Sequence, residues 1–314
     1  MSNGDAVKAG PGGAGEVGGK PTARLRRLIG GPKAVLVPGC YDALGARILE
    51  QAGFPAIYMS GSAVTASLLG YPDIGLVSFH EMVEQARRIA LAVDVPVISD
   101  ADTGYGNAVN VWRTVREFEA AGVAGIHLED QELPKRCGHF EGKRLIPAAE
   151  MAKKLEAALA ARRDDDFIII ARTDARAVEG MEGALKRARL YRSVGVDMLF
   201  VEALTSVDEM KRLNEAFAGF PLLVNVVEGG KTPQLSLAAY EELGYRVVLY
   251  PTASVRAAMK AFRELARELR EKGSTEGFLH RLVGFGERNE ITGLAAFDAW
   301  ERRFAIEETE HGAG

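Results

Sequence analysis

The sequence predicts a closed parallel α/β barrel of the (β/α)8 TIM barrel class, and three observations lead to this prediction. Eight short runs rich in apolar and β-branched residues recur along the chain. Stretches of helical periodicity separate most of these runs, as in a parallel sheet built from strand–helix units. Glycines stand just before several runs, where helices are expected to end. An open doubly wound sheet is the alternative, but its glycine-rich phosphate turn is not found in the segment PGCYDALG after the first run.

The predicted elements follow one another in a regular order. The strands cover residues 35–37, 56–59, 97–99, 125–128, 167–171, 198–201, 222–224 and 247–250. The clearest helices between them cover residues 110–121, 148–162, 181–194 and 206–218. Three further helices are predicted at residues 256–272, 277–283 and 294–306. These extra helices either cap their own barrel or pack on a neighbouring subunit, and we expect an oligomer.

Composition divides the chain into two parts. Residues 1–21 are rich in glycine, alanine and small polar residues and show no periodicity, so we interpret them as a disordered tail. Residues 22–314 are interpreted as one barrel domain with a C-terminal helical extension, a length that a single barrel commonly reaches.

Charge and cysteine content exclude several classes of partner. The net charge of -4 and the lack of a long basic run argue against nucleic-acid binding. No apolar stretch approaches the ~18 residues of a membrane span. Two cysteines, Cys40 and Cys137, indicate a reducing compartment rather than a disulfide framework. We therefore expect a cytoplasmic protein that acts on a small molecule.

Acidic side chains follow several predicted strands, at the end of a parallel barrel where functional groups lie. The carboxylates at these positions are Asp73, Asp100, Asp102, Glu129, Asp130, Asp174, Glu202 and Glu228. Each aspartate alone is more often a cap or turn residue, but together they would repel one another unless a cation lay among them. Oxygen ligands with few histidines nearby indicate a hard divalent ion, Mg²⁺ or else Mn²⁺, held by Asp102, Asp100, Asp73 and Glu129.

Other groups at the same mouth are suited to anions. The small residues Ser60, Gly61 and Ser62 expose backbone N–H groups after the second strand. Arg172 and Arg256 can each bind a carboxylate in bidentate fashion. These groups predict a substrate with several carboxylates.

The segment LPKRCGHFEGKRLI, residues 133–146, predicts an acid/base thiol on a mobile loop. Cys137 lies among Lys135, Arg136 and His139, and cationic neighbours lower the pKa of a thiol. Glycines at Gly138 and Gly142 would let the loop fold over a ligand. The alternative is an inert basic surface loop. His127, in contrast, lies inside a predicted strand and is interpreted as a core residue.

With these residues assembled, the chain from residue 35 to 303 resembles the isocitrate lyase/phosphoenolpyruvate mutase superfamily. The motifs that carry the resemblance are YMSG, PDIG, DADTGYGN, HLEDQ, PKRCGH, ARTDAR and NVVEGGKTP, in this order. The resemblance implies a barrel whose eighth helix is exchanged between subunits, a homotetramer and a magnesium ion.

The resemblance also implies roles for individual residues. Asp102 would bind the metal directly, whereas Asp73, Asp100 and Glu129 would act mainly through water. Substrate binding would fall to Ser60, Gly61, Ser62, Gly138, Arg172, Glu202, Asn225, Arg256 and Arg288. Tyr58, Lys135, Cys137 and His139 would form the catalytic set, with His139 ordering the loop and tuning the thiol.

The cysteine of the CGH motif favours the carbon–carbon lyase branch. In the expected reaction, Tyr58 or a metal-bound hydroxide removes the hydroxyl proton of a 2-hydroxy di- or tricarboxylate. The carbon–carbon bond then breaks to give an α-keto acid such as pyruvate and a carboxylate enediolate, which Cys137 protonates.

The resemblance leaves the substrate open between two groups. Arg256 and the segment at Arg288 resemble methylisocitrate lyases, whereas CGHFEGKRL and NVVEGGKTP look more like dimethylmalate lyase or carboxyphosphonoenolpyruvate phosphonomutase. We expect cleavage of a 2-alkylmalate or a 2-methylisocitrate type of substrate. The alternatives are the phosphonomutase (carboxyvinyl-carboxyphosphonate phosphorylmutase) and an oxaloacetate hydrolase or decarboxylase.

Overall fold

The computed structural model describes residues 19–305, and eight parallel strands close into one barrel in sequence order. The strands are β1 (Val35–Cys40), β2 (Ile57–Met59), β3 (Val97–Asp100), β4 (Gly125–Glu129), β5 (Ile168–Thr173), β6 (Met198–Val201), β7 (Leu222–Asn225) and β8 (Val247–Tyr250). The last strand pairs with the first in parallel register. The predicted barrel and all eight predicted strands are confirmed. Most of the predicted N-terminal tail lies outside the described residues.

Helices connect the strands and cover the outside of the barrel. They are α1 (Pro21–Gly30), α2 (Ala43–Gln51), α3 (Gly61–Leu69), α4 (Phe79–Ala92), α5 (Ala108–Ala120), α6 (Ala148–Ala161), α7 (Ala175–Val194), α8 (Val207–Ala216), α9 (Leu237–Glu242), α10 (Ala253–Lys272), α11 (Phe285–Thr292) and α12 (Leu294–Phe304), with a 3-10 helix at Glu276–Arg281. Local signals explain several ends. Ser78 and Glu81 form a capping box before α4, and Gly195 ends α7 with a φ of 103°.

Alternation along the strands separates two buried layers. One set of side chains fills the inside of the barrel, and the intervening set packs against the helices. Leu25 and Ile29 of α1 join the inner set and close the amino end of the barrel. Full burial of these two side chains contributes about 3 to 6 kcal/mol. In the part of the chain that the structure describes, the opposite, carboxyl end of the barrel stays open to a ligand.

The C-terminal helices are much less buried than the barrel. The prediction gave three of these four elements and missed α11. Val255 is the one buried residue of α10, and none is buried in α11 or α12. Large apolar side chains are exposed there, with Phe285 82% accessible. Exposed apolar faces of this kind are typical of subunit contacts. The homotetramer and the exchanged helix stay predictions.

Within residues 19–305, no helix combines the length and the apolar character that crossing a bilayer requires.

Candidate active site

A cavity of about 310 Å³ opens at the carboxyl end of the barrel. Its lining contains Tyr58, Ser60, Ser62, Asp73, Asp100, Cys137, Gly138, His139, Arg172, Glu202, Asn225 and Arg256 from the predicted site set. The strand register explains this convergence. Asp100, Arg172 and Asn225 each follow by two positions an apolar residue that points into the barrel. Side chains two positions apart share a face of a strand, so the polar ends of the inner rows meet at the mouth.

The turn after β2 brings backbone donors to the same place. Ser60 is the N-cap of α3, and its hydroxyl accepts the N–H of Ala63 at 3.3 Å. The first turn of a helix leaves N–H groups free for an anion. A Cβ atom at Gly61 would lie 2.6 Å from Asp100 Oδ2. Only glycine therefore lets the start of α3 and the Asp100 carboxylate approach this closely.

A buried lysine lies among the acidic residues. Lys135 Nζ is 2.5 Å from Asp73 Oδ1 and 2.8 Å from Asp102 Oδ1, and its side chain is almost fully buried. The sequence predicted that a metal alone compensates the charge of these carboxylates, whereas in the structure Lys135 compensates part of it. Burial raises the pKa of Asp102 to about 6, with Lys135 acting against this rise and Asp100 and Asp73 adding to it.

The remaining oxygens of this cluster suit a hard divalent ion. Glu129 Oε1 is buried and accepts no hydrogen bond, whereas Asp102 Oδ1 has the Lys135 ammonium as its partner at 2.8 Å. Buried carboxylate oxygens without partners are rare and indicate a ligand or water. No set of three or more acidic, histidine or cysteine side chains within residues 19–305 converges as a complete metal site. This geometry is compatible with one direct ligand and several that act through water.

Arg172 is the centre of a second charged cluster. Its guanidinium lies 3.2 Å from Glu129 Oε2, 3.0 Å from Asp174 Oδ2 and 3.5 Å from Glu202 Oε2. The sequence predicted a bidentate contact between Arg172 and a substrate carboxylate. In the structure three protein carboxylates already surround this side chain, so it orders the pocket wall as well as facing the cavity.

Cys137 lies at the mouth on the loop between β4 and α6, where its N–H donates to the carbonyl of Asp73 at 3.2 Å. Burial raises the pKa of the Cys137 thiol to about 11, and Asp73 and Glu202 add to this rise. The predicted lowering of the thiol pKa is therefore wrong. The physical reason is that the Lys135 ammonium is directed to the carboxylates and Arg136 is exposed. A protonated thiol is suited to donate a proton.

Two neighbours of Cys137 bring the loop onto the barrel. A Cβ atom at Gly138 would lie 2.6 Å from both Arg172 and Glu202, so the close approach requires glycine. His139 Nε2 lies 3.5 Å from Glu202 Oε1, and its Nδ1 accepts the N–H of Lys231 at 3.3 Å. Burial lowers the pKa of His139, so a neutral imidazole orders the loop.

Tyr58 and His127 form a buried pair inside the barrel. The Tyr58 hydroxyl lies 2.7 Å from His127 Nε2, and His127 Nδ1 lies 3.7 Å from Asp100 Oδ1. Burial raises the pKa of Tyr58 well above its usual value and lowers that of His127 to about 4. Tyr58 is therefore a neutral phenol rather than a standing phenolate. His127 makes a core hydrogen bond as predicted, but its partner belongs to the site. Side chains two positions apart in a strand share a face. The place of His127 two residues before Glu129 was therefore the sequence signal that His127 faces the site.

The two outer arginines differ in position. Arg256 lies at the rim, where it donates to the carbonyl of Glu228 at 2.6 Å and its side chain is 51% exposed. Arg288 lies on α11, is exposed, and does not line the cavity; its helix packs on α2. Within one subunit, the expectation that Arg288 joins Arg256 at the substrate is therefore not met.

Several cavity residues were not predicted. An apolar wall is made by Ala66, Phe140, Val227, Pro251, Val255 and Met259. These residues come from loops and from α10, where no periodic pattern indicates which side chains turn inward. Lys143, which lies behind the cavity, was also missed because a single charged residue in a loop carries no distinctive signal. Asp174, which the sequence placed after the fifth strand, pairs with it.

Comparison with known sequences gives consistent matches over nearly the whole described chain. A family model described as phosphoenolpyruvate phosphomutase matches residues 25–270. The chain is 46% identical to 2,3-dimethylmalate lyase of Eubacterium barkeri, covering 90% of this chain and 98% of that protein. It is 45% identical to 2-methylisocitrate lyase of Aeropyrum pernix, covering 91% of each. It is 43% identical to a chloroplastic carboxyvinyl-carboxyphosphonate phosphorylmutase of Arabidopsis thaliana, covering 91% of this chain and 86% of that protein.

Solved structures agree with these matches. A crystal structure of 2,3-dimethylmalate lyase superposes with a TM-score of 0.87 at 34% identity, covering 95% of this chain and all of that one. Phosphonopyruvate hydrolase in complex with oxalate and Mg²⁺ gives a TM-score of 0.83 at 32% identity, covering 91% of this chain and 99% of the other.

Proposed function

The chain belongs to the phosphoenolpyruvate phosphomutase family within the isocitrate lyase superfamily, and from this premise we propose that it is a magnesium-dependent carbon–carbon lyase. Its substrate would be a 2-alkylmalate or a 2-methylisocitrate type of acid. The products would be an α-keto acid, such as pyruvate, and a second carboxylate. The observation that carries this proposal is the position of the Cys137 thiol, which a loop holds at a cavity lined by carboxylates and arginines.

Magnesium is supported by the donor set and by the Mg²⁺ and oxalate in the related hydrolase. Asp102, Asp100, Asp73 and Glu129 would hold the ion, because they supply oxygen donors and Glu129 Oε1 is buried without a hydrogen bond. The bound ion would stabilise negative charge on the carboxylate and hydroxyl oxygens of the substrate. The N–H groups at the start of α3, from Gly61 onward, would bind a substrate carboxylate.

The base in this proposal is Tyr58 assisted by His127. A neutral imidazole with its proton on Nδ1, toward Asp100, can accept at Nε2 the proton of the Tyr58 hydroxyl, 2.7 Å away. Tyr58 oxygen can then accept the hydroxyl proton of the substrate. The low pKa of His127 and the high pKa of Tyr58 keep the pair neutral at rest. They also make proton transfer from Tyr58 to His127 uphill, so this transfer must accompany the transfer of the substrate hydroxyl proton to Tyr58.

Removal of that proton makes a carbonyl at C2, and the bond between C2 and C3 breaks. Its electron pair moves into the neighbouring carboxyl group to form an enediolate, and Cys137 returns a proton to C3. Arg172 and the N–H groups of the pocket would stabilise the enediolate, a contribution of about 3 to 4 kcal/mol for one such donor. Glu202 contacts both His139 and Arg172, and these contacts hold the loop and the Arg172 side chain in place.

The apolar wall supports an alkyl-substituted substrate. Phe140, Val255 and Met259 line the cavity with apolar surface that suits an alkyl group. A second candidate is the phosphorylmutase reaction, which the 43% identity to the Arabidopsis thaliana protein favours. A structural match to oxaloacetate acetylhydrolase, at a TM-score of 0.86, favours oxaloacetate hydrolysis as a further alternative.

The test is keto-acid release by purified protein with Mg²⁺ and each of four substrates: 2,3-dimethylmalate, 2-methylisocitrate, oxaloacetate and carboxyphosphonoenolpyruvate. We expect release from one of the first two, and a reduction by about 10² to 10⁴-fold in Cys137→Ser, the usual contribution of a positioned acid. Cys40→Ala is the matched control, because this second thiol is buried at the end of β1 and does not line the cavity. Turnover of only the phosphorus compound or oxaloacetate would contradict the lyase proposal.

A further inference from the structure

Lys143 is a buried lysine that the proposed reaction does not use. It lies six residues beyond Cys137 on the same loop, and its side chain is only 1% exposed. Its ammonium donates to the backbone carbonyl of Gly138 and lies 2.8 Å from Asp174 Oδ1. Burial of an ammonium group is costly unless the charge is paired and hydrogen-bonded. Both partners are therefore needed to keep Lys143 in this position.

The two partners of Lys143 belong to different parts of the molecule. Gly138 lies next to Cys137 on the loop, whereas Asp174 follows β5 and also accepts from Arg172 Nε at 3.0 Å. Burial would raise the pKa of Asp174, but Arg172 and Lys143 outweigh it and lower this pKa to about 2. A charged Asp174 thus connects the loop lysine with the arginine of the cavity wall.

The loop has a closed base and two lysine contacts beyond it. Gln131 pairs with Leu145, and the N–H of Glu132 donates to the carbonyl of Arg144 at 2.9 Å, so residues 132–144 emerge from a fixed base. Lys135 attaches one side of the loop to Asp73 and Asp102. Lys143 attaches the other side to Asp174. Cys137 lies between these two attachments.

We propose that Lys143 is the latch of this loop: its ammonium joins the Gly138 carbonyl to Asp174, and thereby holds Cys137 over the cavity and Arg172 in register. Lys143 is a positioning residue, because it acts through Gly138 and Asp174 and not on the substrate. The inference rests on the proposed function only in calling Cys137 the proton donor. The closed position of the loop can be measured without any substrate.

The experiment measures alkylation of the two cysteines by iodoacetamide, followed by mass spectrometry of the intact protein and its peptides. Cys40 is 0% exposed and reports on the integrity of the barrel. In Lys143→Met we expect Cys137 to react at least about tenfold faster than in the unsubstituted protein, with Cys40 still protected, because an opened loop exposes the thiol. Lys153→Met, which removes an exposed lysine of α6, is the matched control and should change neither rate.

A second variant separates a latch from general structural support. Asp174→Asn removes the other charge of the pair, and a latch predicts a similar rise in the Cys137 rate. Since both substitutions break one contact, the double variant should rise no further than the larger single one. If the lyase assay succeeds, Lys143→Met should lower kcat while KM changes little.

Three outcomes would overturn the latch. An unchanged Cys137 rate in Lys143→Met, with Cys40 protected, would remove its basis. If Lys143→Met exposes Cys40, the Asp174→Asn variant is used instead. An unchanged alkylation rate of Cys137 in Asp174→Asn would then reject the proposal. Exposure of Cys40 in both variants would identify Lys143 as a support of the barrel and not a latch. Failure of the lyase assay leaves these readings intact, so the two proposals can fail separately.

Discussion

Charged residues cluster at both ends of the barrel, but they are satisfied to very different degrees. At the amino end, Asp197 Oδ1 accepts from Arg26 at 3.0 Å, and its Oδ2 accepts from Arg162 at 2.8 Å and from the N–H of Ile169 at 2.9 Å. At the carboxyl end, Glu129 Oε2 contacts Arg172, but its Oε1 is buried and accepts no hydrogen bond. Asp197 thus has partners on both carboxylate oxygens, whereas Glu129 has a partner on only one.

This difference separates charges that hold the fold from charges that await a ligand. A carboxylate with all its partners in the protein gains little from further contacts and loses stability when a partner is removed. A buried carboxylate oxygen without a partner keeps its desolvation cost until a cation or donor binds. Substitutions at the two ends should therefore affect different quantities.

The largest effect is expected for Asp102→Asn. Keto-acid release should fall by about 10³-fold or more, because the loss of a metal ligand removes several kcal/mol of charge stabilisation. The free energy of unfolding, measured with a chelator present, should change little, since relief of the repulsion from Asp73 and Asp100 offsets the loss of the ion pair with Lys135. A clear loss of stability with activity retained would show that Asp102 stabilises the fold and does not bind the ligand.

The opposite result is expected for Asp197→Ala at the amino end. Arg26 and Arg162 lose their shared carboxylate, which should destabilise the protein by about 2 kcal/mol, as for hydrogen bonds to a charged group. The midpoint of thermal unfolding should fall by about 4 °C. Specific activity per folded molecule should stay unchanged. A loss of activity larger than the loss of folded protein would show that the amino end contributes to the site.

How far the sequence predicts this molecule depends on the kind of feature. The eight strands follow from periodicity, because burial on both faces requires apolar runs that any parallel barrel repeats. The polar residues at the strand ends, such as Asp100 and Arg172, follow from the same register and were predicted as a group. The family resemblance added Tyr58, and the thiol and glycines of residues 133–146 indicated the mobile loop; periodicity indicates neither.

Features that depend on side-chain direction were less accessible. Lys135 was predicted beside the thiol, but its ammonium contacts Asp73 and Asp102 instead. The thiol pKa was consequently predicted in the wrong direction. α11 was missed because it buries no residue and has no apolar stripe to detect. Sequence spacing places charges near one another but does not determine which of them face each other.

The buried surroundings of Cys137 should give its alkylation a pH dependence that differs from that of an exposed thiol. Because burial raises its pKa to about 11, the thiol is protonated at neutral pH, and only the small thiolate fraction reacts with iodoacetamide. The alkylation rate should rise by about tenfold per pH unit up to about pH 10. The measurement needs the unsubstituted protein with a chelator present. If the alkylation rate levels off below pH 8, the pKa of the Cys137 thiol is lowered, as the sequence predicted.

The smallest effect is expected at the rim of the carboxyl end, where Arg256 differs from the buried Arg172. Arg256 is half exposed and already contacts Glu228, so a contact with a substrate carboxylate should contribute at most about 1 kcal/mol. In Arg256→Ala, KM for 2-methylisocitrate should rise by about fivefold, which corresponds to that energy. KM for 2,3-dimethylmalate, which has no third carboxylate, should stay unchanged, as should kcat for both. Equal increases for the two substrates would mean that Arg256 binds a carboxylate they share, and the rim would then belong to the same binding unit as Arg172.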